Sequence, residues 1–412
     1  MYNLFKIAVR NLLRYKRRTL LTASLVTVGV VFVLVFVAIS GSFKNMMVGQ
    51  ITDSFLGHIQ VHRKGYVASI DNLPLTLGMK PQTVKKVEGA LAGIPGIEAY
   101  SPRIKFGGMF SNFVETTNVR LNGVHPDKEA RTEPLLLDRI IKGEKGIEKG
   151  KIIVPELIAQ GMKIGVGDVV VVVATNKDGS VNGKQLVVGG IMESATGPGG
   201  RDGYIHIEDA ADVLRMERPE ISEIAIRLTD FGKLGEVYGA LHGELSKEVN
   251  EKGKPVFEVH TWEKLSPFYN IARMIDLMTF FIKLTLIAIV LISIMNVMIM
   301  AVYERIREIG TIAAIGTLPG KILTMFVLEG LSLGVFGALI GNAIGIAVVY
   351  ALNAAKLTFD FGRQKGLVLS PTISLNDVIV ISAIVVAVSV LASLQPAFKA
   401  SRMEPIKALR HV

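Results

Sequence analysis

The residues best placed to do chemistry lie in one short charged segment, Glu304-Arg305-Ile306-Arg307-Glu308-Ile309-Gly310, which runs on through Ala314 and Gly316 to Pro319-Gly320. Two acids and two bases in five positions, with no histidine, cysteine or serine beside them, make ion pairs and surface contacts rather than covalent intermediates. An apolar edge, Ile306, Ile309 and Ala313, completes a short amphipathic helix. Two readings are open: a turn helix with solvated charges, or a handle on which a partner pushes.

Other chemistry is hard to find in the chain. No G-x-x-x-x-G-K-[S/T] loop occurs, so no phosphate cradle of that type is expected. Gly197-Pro-Gly-Gly200-Arg-Asp-Gly203 is glycine-rich but lacks the dinucleotide spacing, and reads as a loop. His58 and His62 share a strand face with no acidic third ligand nearby in sequence, which argues against a metal. No nucleophile stands with a base, and there is no cysteine for a disulfide or thiolate site. Neither an enzymatic activity nor a cofactor is expected in this chain.

The elements around the charged segment are membrane spans. Residues 19–43, 284–303, 330–355 and 378–398 carry no charge. Each is long enough to cross a hydrocarbon core of about 30 Å as a helix. The expected spans are 19–43, 275–302, 322–352 and 376–398, one followed by three. The charged segment is then the 303–321 loop, and 353–375 is a short loop on the opposite side. The apolar run near the N-terminus is too long for a cleavable signal and reads as the first span.

The net charge of +10 is placed unevenly: residues 44–273 hold 29 basic and 29 acidic residues, so the whole excess flanks the spans. That pattern points to membrane orientation, not to nucleic acid. Arg14, Lys16, Arg17 and Arg18 precede the first span; Arg305, Arg307 and Lys321 follow the second; Lys399, Arg402, Lys407 and Arg410 follow the fourth. Both termini and the 303–321 loop are therefore expected in the cytoplasm, and residues 44–273 outside it. Residues 1–18 form an amphipathic interfacial helix, with Leu4, Ala8 and Leu12 on one face and Lys6, Arg10 and Arg14 on another. Residues 399–412 form a cytoplasmic tail.

The large domain reads as α+β. Strands are expected at 58–62, 151–155, 168–173, 185–189, 204–207, 223–228 and 256–259. Asn176-Lys-Asp-Gly179 is a hairpin turn, and helical stripes run through Val84–Ile94 and Leu234–Val249. This divides into a unit made of 50–125 and 204–260, carrying a β-rich insert at 126–203. In the third span the spacing Gly337-xxx-Gly341-xxx-Gly345 invites close approach by another helix. Lys283 and Glu329 sit close to expected span ends, where snorkelling to the interface would satisfy them.

Three motifs carry a resemblance. They are Ala8-Val-Arg10-Asn11-Leu-Leu-Arg14 with Arg17-Arg18-Thr19-Leu-Leu-Thr22; Glu304-Arg305-x-Arg307-Glu308-Ile309-Gly310-x-x-x-Ala314-x-Gly316; and Pro396-Ala397-x-x-Ala400-x-Arg402-x-x-Pro405-Ile406-x-Ala408-Leu409-Arg410. With the one-plus-three layout, nearly the whole chain resembles the FtsX-like, MacB-type family of ABC transporter permeases. Its LolC/LolE (lipoprotein-releasing) branch is the most similar at Gly57–Tyr66. The short hairpin at 173–185 and Glu329 depart from that branch. The resemblance implies a dimer, of two copies or of two paralogues, in the bacterial inner membrane, embedded in the lipid bilayer. A separate ATPase, holding ATP and magnesium, would dock on 304–316. The substrate would be a lipoprotein or another amphiphile, taken from the membrane or periplasm, with a periplasmic adaptor or chaperone as a further partner. Two rival readings follow from the same family: drug or peptide efflux of the MacB type, or FtsX-like mechanotransmission to a cell-wall hydrolase.

Overall fold

A computed structural model describes residues 2–14, 16–194, 198–361 and 364–409. Gly197, Arg363 and Arg410 lie outside the described residues, as do the side chains of Leu4, Arg18 and Lys407. The chain forms two compact units, 1–45 with 271–358 and 368–412, and 46–270 with 359–367.

The first unit holds the apolar helices. A short helix, Tyr2–Arg14, is followed by Lys16–Ile51, Tyr269–Glu304, Pro319–Ala354 and Leu375–Ser401. Among the described residues, four helices are long and apolar enough to cross a membrane. All of them run past the spans expected from the uncharged runs, because a helix does not stop where the hydrocarbon does. Their polar extensions pair instead: Lys44 Nζ lies 2.7 Å from Asp276 Oδ2.

Glycines set how closely these helices pack. A Cβ at Gly334 would stand 2.0 Å from Ser389 Oγ, and one at Gly330 2.5 Å from Ser393 Cβ, so the third and fourth spans meet backbone to small side chain. The other stripe takes the first span. Cβ atoms at Gly337 and Gly341 would meet Val26 Cγ1 at 2.6 Å and Val30 Cβ at 2.7 Å, while Gly345 leaves 3.4 Å to Leu34. The occupant of the Gly337–Gly341–Gly345 face is thus a helix of the same chain. With no hydrophobic drive between helices in lipid, contact of this kind is what holds them.

The second unit is built on a ten-stranded sheet. Its strands are β1 (Ile59–Arg63), β2 (Ile97–Ser111), β3 (Thr116–Val124), β4 (Ile140–Gly143), β5 (Lys151–Pro155), β6 (Val169–Thr175), β7 (Val181–Met192), β8 (Asp202–His206), β9 (Glu223–Leu228) and β10 (Phe257–Thr261). The order is β10-β1-β9-β2-β3-β8-β5-β7-β4, with β6 joining β2 to β7. β3–β8 and β5–β7 are parallel; the other pairs are antiparallel.

Alternation decides which face is core: in β6, Val170, Val172 and Ala174 are buried while Val169 is exposed. Helices Pro81–Ala92 and Leu234–Leu245 cover the sheet with Val87, Leu91, Val237, Leu241 and Leu245. The 126–203 segment shares this sheet: β5 pairs with β8 and β6 with β2, so hydrogen bonding runs unbroken from one part to the other.

Candidate functional site: the charged segment after the second span

The second span ends at Glu304, and Arg305, with φ −111° and ψ 18°, leaves helical geometry. A nine-residue helix, Ile306–Ala314, follows at once. Its end is a Schellman motif: Gly316 N–H donates to Ala313 O (3.0 Å) and Thr317 N–H to Ile312 O (3.1 Å), with Gly316 at φ +93°. Pro319 then opens the third span, where its missing N–H costs nothing. Gly316 is therefore there for the turn; a side chain would be strained at that φ.

The eight residues singled out from sequence divide. Glu304, Arg307, Glu308, Ala314 and Gly316 are exposed, whereas Arg305, Ile309 and Gly310 are buried. Ile306 and Ile309 face the bundle rather than forming an exposed apolar edge, and the helix packs on Pro405–Leu409. The apolar residues presented outward are Ile315 and Leu318, 80% and 64% exposed, which the amphipathic reading missed because they follow the helix instead of lying on it. Arg14 Nη1 approaches Glu308 Oε1 at 3.3 Å with both groups largely exposed, a contact worth at most about 1 kcal/mol.

Arg305 turns inward. Its Nη1 donates to Glu329 Oε1 at 2.8 Å, and Asn11 Nδ2 donates to the same oxygen at 2.8 Å. Its Nη2 reaches Asn11 O at 3.5 Å. Glu329 is fully buried, so the snorkelling expected of it does not occur; a carboxylate buried inside a bundle of apolar helices needs a paired cation. Lys283 is half-buried.

The outer unit has its own buried charge cluster, which sequence reasoning missed. Arg103 Nη2 pairs with Glu129 Oε1 (2.9 Å) and with Glu133, and Nη1 with Glu223 Oε1 (3.0 Å). Lys105 Nζ lies 2.9 Å from the same Glu223 oxygen. Arg103 Nη1 also donates to Phe55 O at 2.7 Å. Arg227 Nη1 holds Asp53 Oδ1 at 2.6 Å, and the Arg139 guanidinium sits 4.0 Å over the Phe55 ring. Three arginines thus grip the Thr52–Leu56 turn that ends the first long helix.

His58 and His62 have acidic neighbours after all, each at 3.5 Å: Asp53, five residues before His58, and Glu223, brought to His62 by the fold from elsewhere in the chain. No group of three metal-ligating side chains occurs among the described residues.

Burial opposes ionisation of Glu223, yet Lys105, His62 and Arg103 together hold its carboxyl far below the usual carboxylate range. Glu133 goes the other way: burial, with Glu129 beside it, outweighs Arg103 and pushes it up to about 8. A carboxyl with its folded-state value raised from 4.5 keeps a proton that the unfolded chain releases. Its stabilising contribution is full below pH 4.5 and is lost as pH rises to about 8. Glu133→Gln cannot lose that proton, so its thermal stability relative to the parent should be greater at pH 8.5 than at pH 5. Melting curves of both proteins at the two pH values check it; a constant difference would show that Glu133 is ionised in the fold throughout.

Two family models cover most of the chain: the MacB-like periplasmic core domain matches residues 19–242, and the FtsX-like permease C-terminal domain matches residues 280–405. The chain belongs to the FtsX-like, MacB-type family of ABC transporter permeases. In this family the outer unit is a domain of periplasmic type, so the chain is a membrane protein with a large extracytoplasmic domain.

Among its relatives, the lipoprotein-releasing system transmembrane protein LolC of Neisseria meningitidis is 24% identical over 343 residues, 77% of this chain and 79% of that one. The macrolide export ATP-binding/permease protein MacB of Bdellovibrio bacteriovorus is 26% identical over 333 residues, 77% of this chain. The permease spans about half of that relative's length, 48%. The extracellular domain of the transporter YknZ from Gram-positive bacteria is 12% identical, covering 50% of this chain and 100% of that one, with a TM-score of 0.35.

Proposed function

We propose that this permease couples ATP hydrolysis by a separate ABC ATPase to the extraction or export of a lipidated or amphiphilic substrate from the membrane or periplasm. The carrying observation is the Ile306–Ala314 helix and the turn after it, which show Arg307, Glu308 and Ile315 outward while Ile306 and Ile309 anchor the helix among the spans. Mixed charge around exposed apolar residues is what a protein partner can grip, and burial of the other face is what carries force inward. ATP and magnesium belong to the partner. Exposed Arg14, Lys16, Arg17, Lys321 and Lys399 surround the same end of the bundle and favour a cytoplasmic side for it and for both termini, in the bacterial inner membrane. The permease works as a dimer, of two copies or of two paralogues, since closed two-fold assemblies are the common solution.

Likeness to LolC along 77% of the chain favours an acylated substrate. The test is ATP hydrolysis by the permease–ATPase complex in lipid nanodiscs, given an acylated lipoprotein or the same protein without its acyl chains. Several-fold stimulation by the acylated form alone is expected. Stimulation by neither overturns lipoprotein handling. MacB-like efflux is the second reading, favoured by the likeness to that exporter over 333 residues. It predicts stimulation by an amphiphilic drug or peptide instead.

A further inference from the structure

The buried junction of Asn11, Arg305 and Glu329 lies on three elements that the charged segment must move together. Arg305 is the break between the second span and the 306–314 helix; Glu329 is on the third span; Asn11 is on the Tyr2–Arg14 helix. One carboxylate oxygen, Glu329 Oε1, takes a hydrogen bond from each of the other two side chains, both at 2.8 Å. Arg305 is 3% and Glu329 0% exposed, so neither is on the surface a partner would touch.

The backbone of Arg305 starts the 306–314 helix, accepting from Ile309 N–H at 2.9 Å, while its side chain is fixed to the third span. The direction of that helix is thus tied to a charged bond in a low-dielectric setting, where charge-assisted hydrogen bonds are strong and directional.

We infer that Asn11 and Glu329 are positioning residues for coupling. With Arg305 they set the angle of the 306–314 helix against the spans, and thereby decide whether ATPase motion reaches the third span and the Tyr2–Arg14 helix. This rests on the reading of 304–316 as the ATPase handle. It reassigns Arg305 from a surface contact to the internal side of that handle.

The chain has no cysteine, so site-specific spin labels can be placed freely. Cysteines at exposed Ala314 and Leu394 report the angle of the helix against the fourth span as a distance distribution, in the permease alone. Glu329→Ala is expected to broaden that distribution. In the unlabelled complex it should cut substrate-stimulated ATP hydrolysis at least tenfold, with co-purified ATPase at the parental ratio. Asn11→Ala, which removes one hydrogen bond and leaves the ion pair, should give a smaller change of the same kind. It serves as the test if Glu329→Ala does not accumulate. The reversed pair Arg305→Glu with Glu329→Arg should recover part of the stimulation, which a purely structural loss would not do. An unchanged distribution in both single variants overturns the inference and leaves the handle reading standing. A broadened distribution with full stimulation overturns the handle reading and with it the coupling role, while the junction itself is retained.

Discussion

Arg103→Met is expected to lower the unfolding temperature of the purified permease by about 6–20 °C, followed by the β-rich signal of the outer unit in circular dichroism. The parent guanidinium is 1% exposed and faces Glu129, Glu133 and Glu223, all at 0%. Methionine fills similar volume but leaves three buried carboxyls with Lys105 as their nearest cation. Breaking a buried pair by removing one partner costs about 3–5 kcal/mol, since the remaining charge is then buried alone. At about 2–4 °C per kcal/mol for a unit of this size, the drop should be plain in a melting curve. The Phe55 carbonyl loses its donor as well, so the Thr52–Leu56 turn should loosen with the cluster. Adding Glu129→Gln and Glu133→Gln to Arg103→Met should restore part of the loss, because the cost lies in buried carboxyls left without their cation. If the triple variant is no more stable than the single one, the guanidinium acts through its shape and its Phe55 bond instead.

That cluster also marks where the sequence ceased to be readable. Most of the shorter strands, β3 and β4 excepted, were legible because β-branched residues alternate or run between turn residues: β5 and β9 lie where 151–155 and 223–228 stood out, and the turn at Asn176 closes with Gly179 at φ +88°. β2, the longest strand, was not. It contains Pro102, Gly107 and Gly108 and buries Arg103 where an apolar residue would announce a core face. The pattern fails there for physical reasons. A Cβ at Gly108 would stand 2.7 Å from Val173 O, so the glycine that weakens the strand signal is what lets β6 approach. Arg103 is tolerated because three acids, 26, 30 and 120 positions further along, converge on it. No local window contains them.

In the membrane unit the charged segment was legible as an amphipathic helix, but the partner of Arg305 is 24 positions away on another span. A sequence signal did exist, since a lone carboxylate near the end of an uncharged run calls for a cation as well as allowing an escape to the interface. Burial separates the two, and the groups that bury Glu329 lie at Asn11 and Arg305, far from it in sequence. Asn11 and Arg305 both donate to Oε1 and hold the carboxylate inside the bundle, while Oε2 is buried with no hydrogen-bond partner among the described residues.

Gly341→Ala should destabilise the bundle by about 1–3 kcal/mol, the usual cost of forcing an extra methyl into a packed contact. The new Cβ would meet Val30 Cβ at 2.7 Å and Thr27 O at 3.1 Å; Val30 is fully buried and the carbonyl belongs to a helix backbone, so neither can step aside cheaply. Gly345→Ala, one turn along the same face, has 3.4 Å to Leu34 and should be close to neutral. The contrast between two chemically identical substitutions removes helix propensity from the comparison, since alanine gains over glycine equally in both. Thermal unfolding of the permease in one detergent gives both values. Val30→Ala in the Gly341→Ala background should return only part of the loss, because it removes Cγ1, at 2.8 Å, and leaves Val30 Cβ and the Thr27 carbonyl in place. Equal stability of the two single variants would mean that the first span does not press on Gly341, and that the stripe in the third span has another occupant.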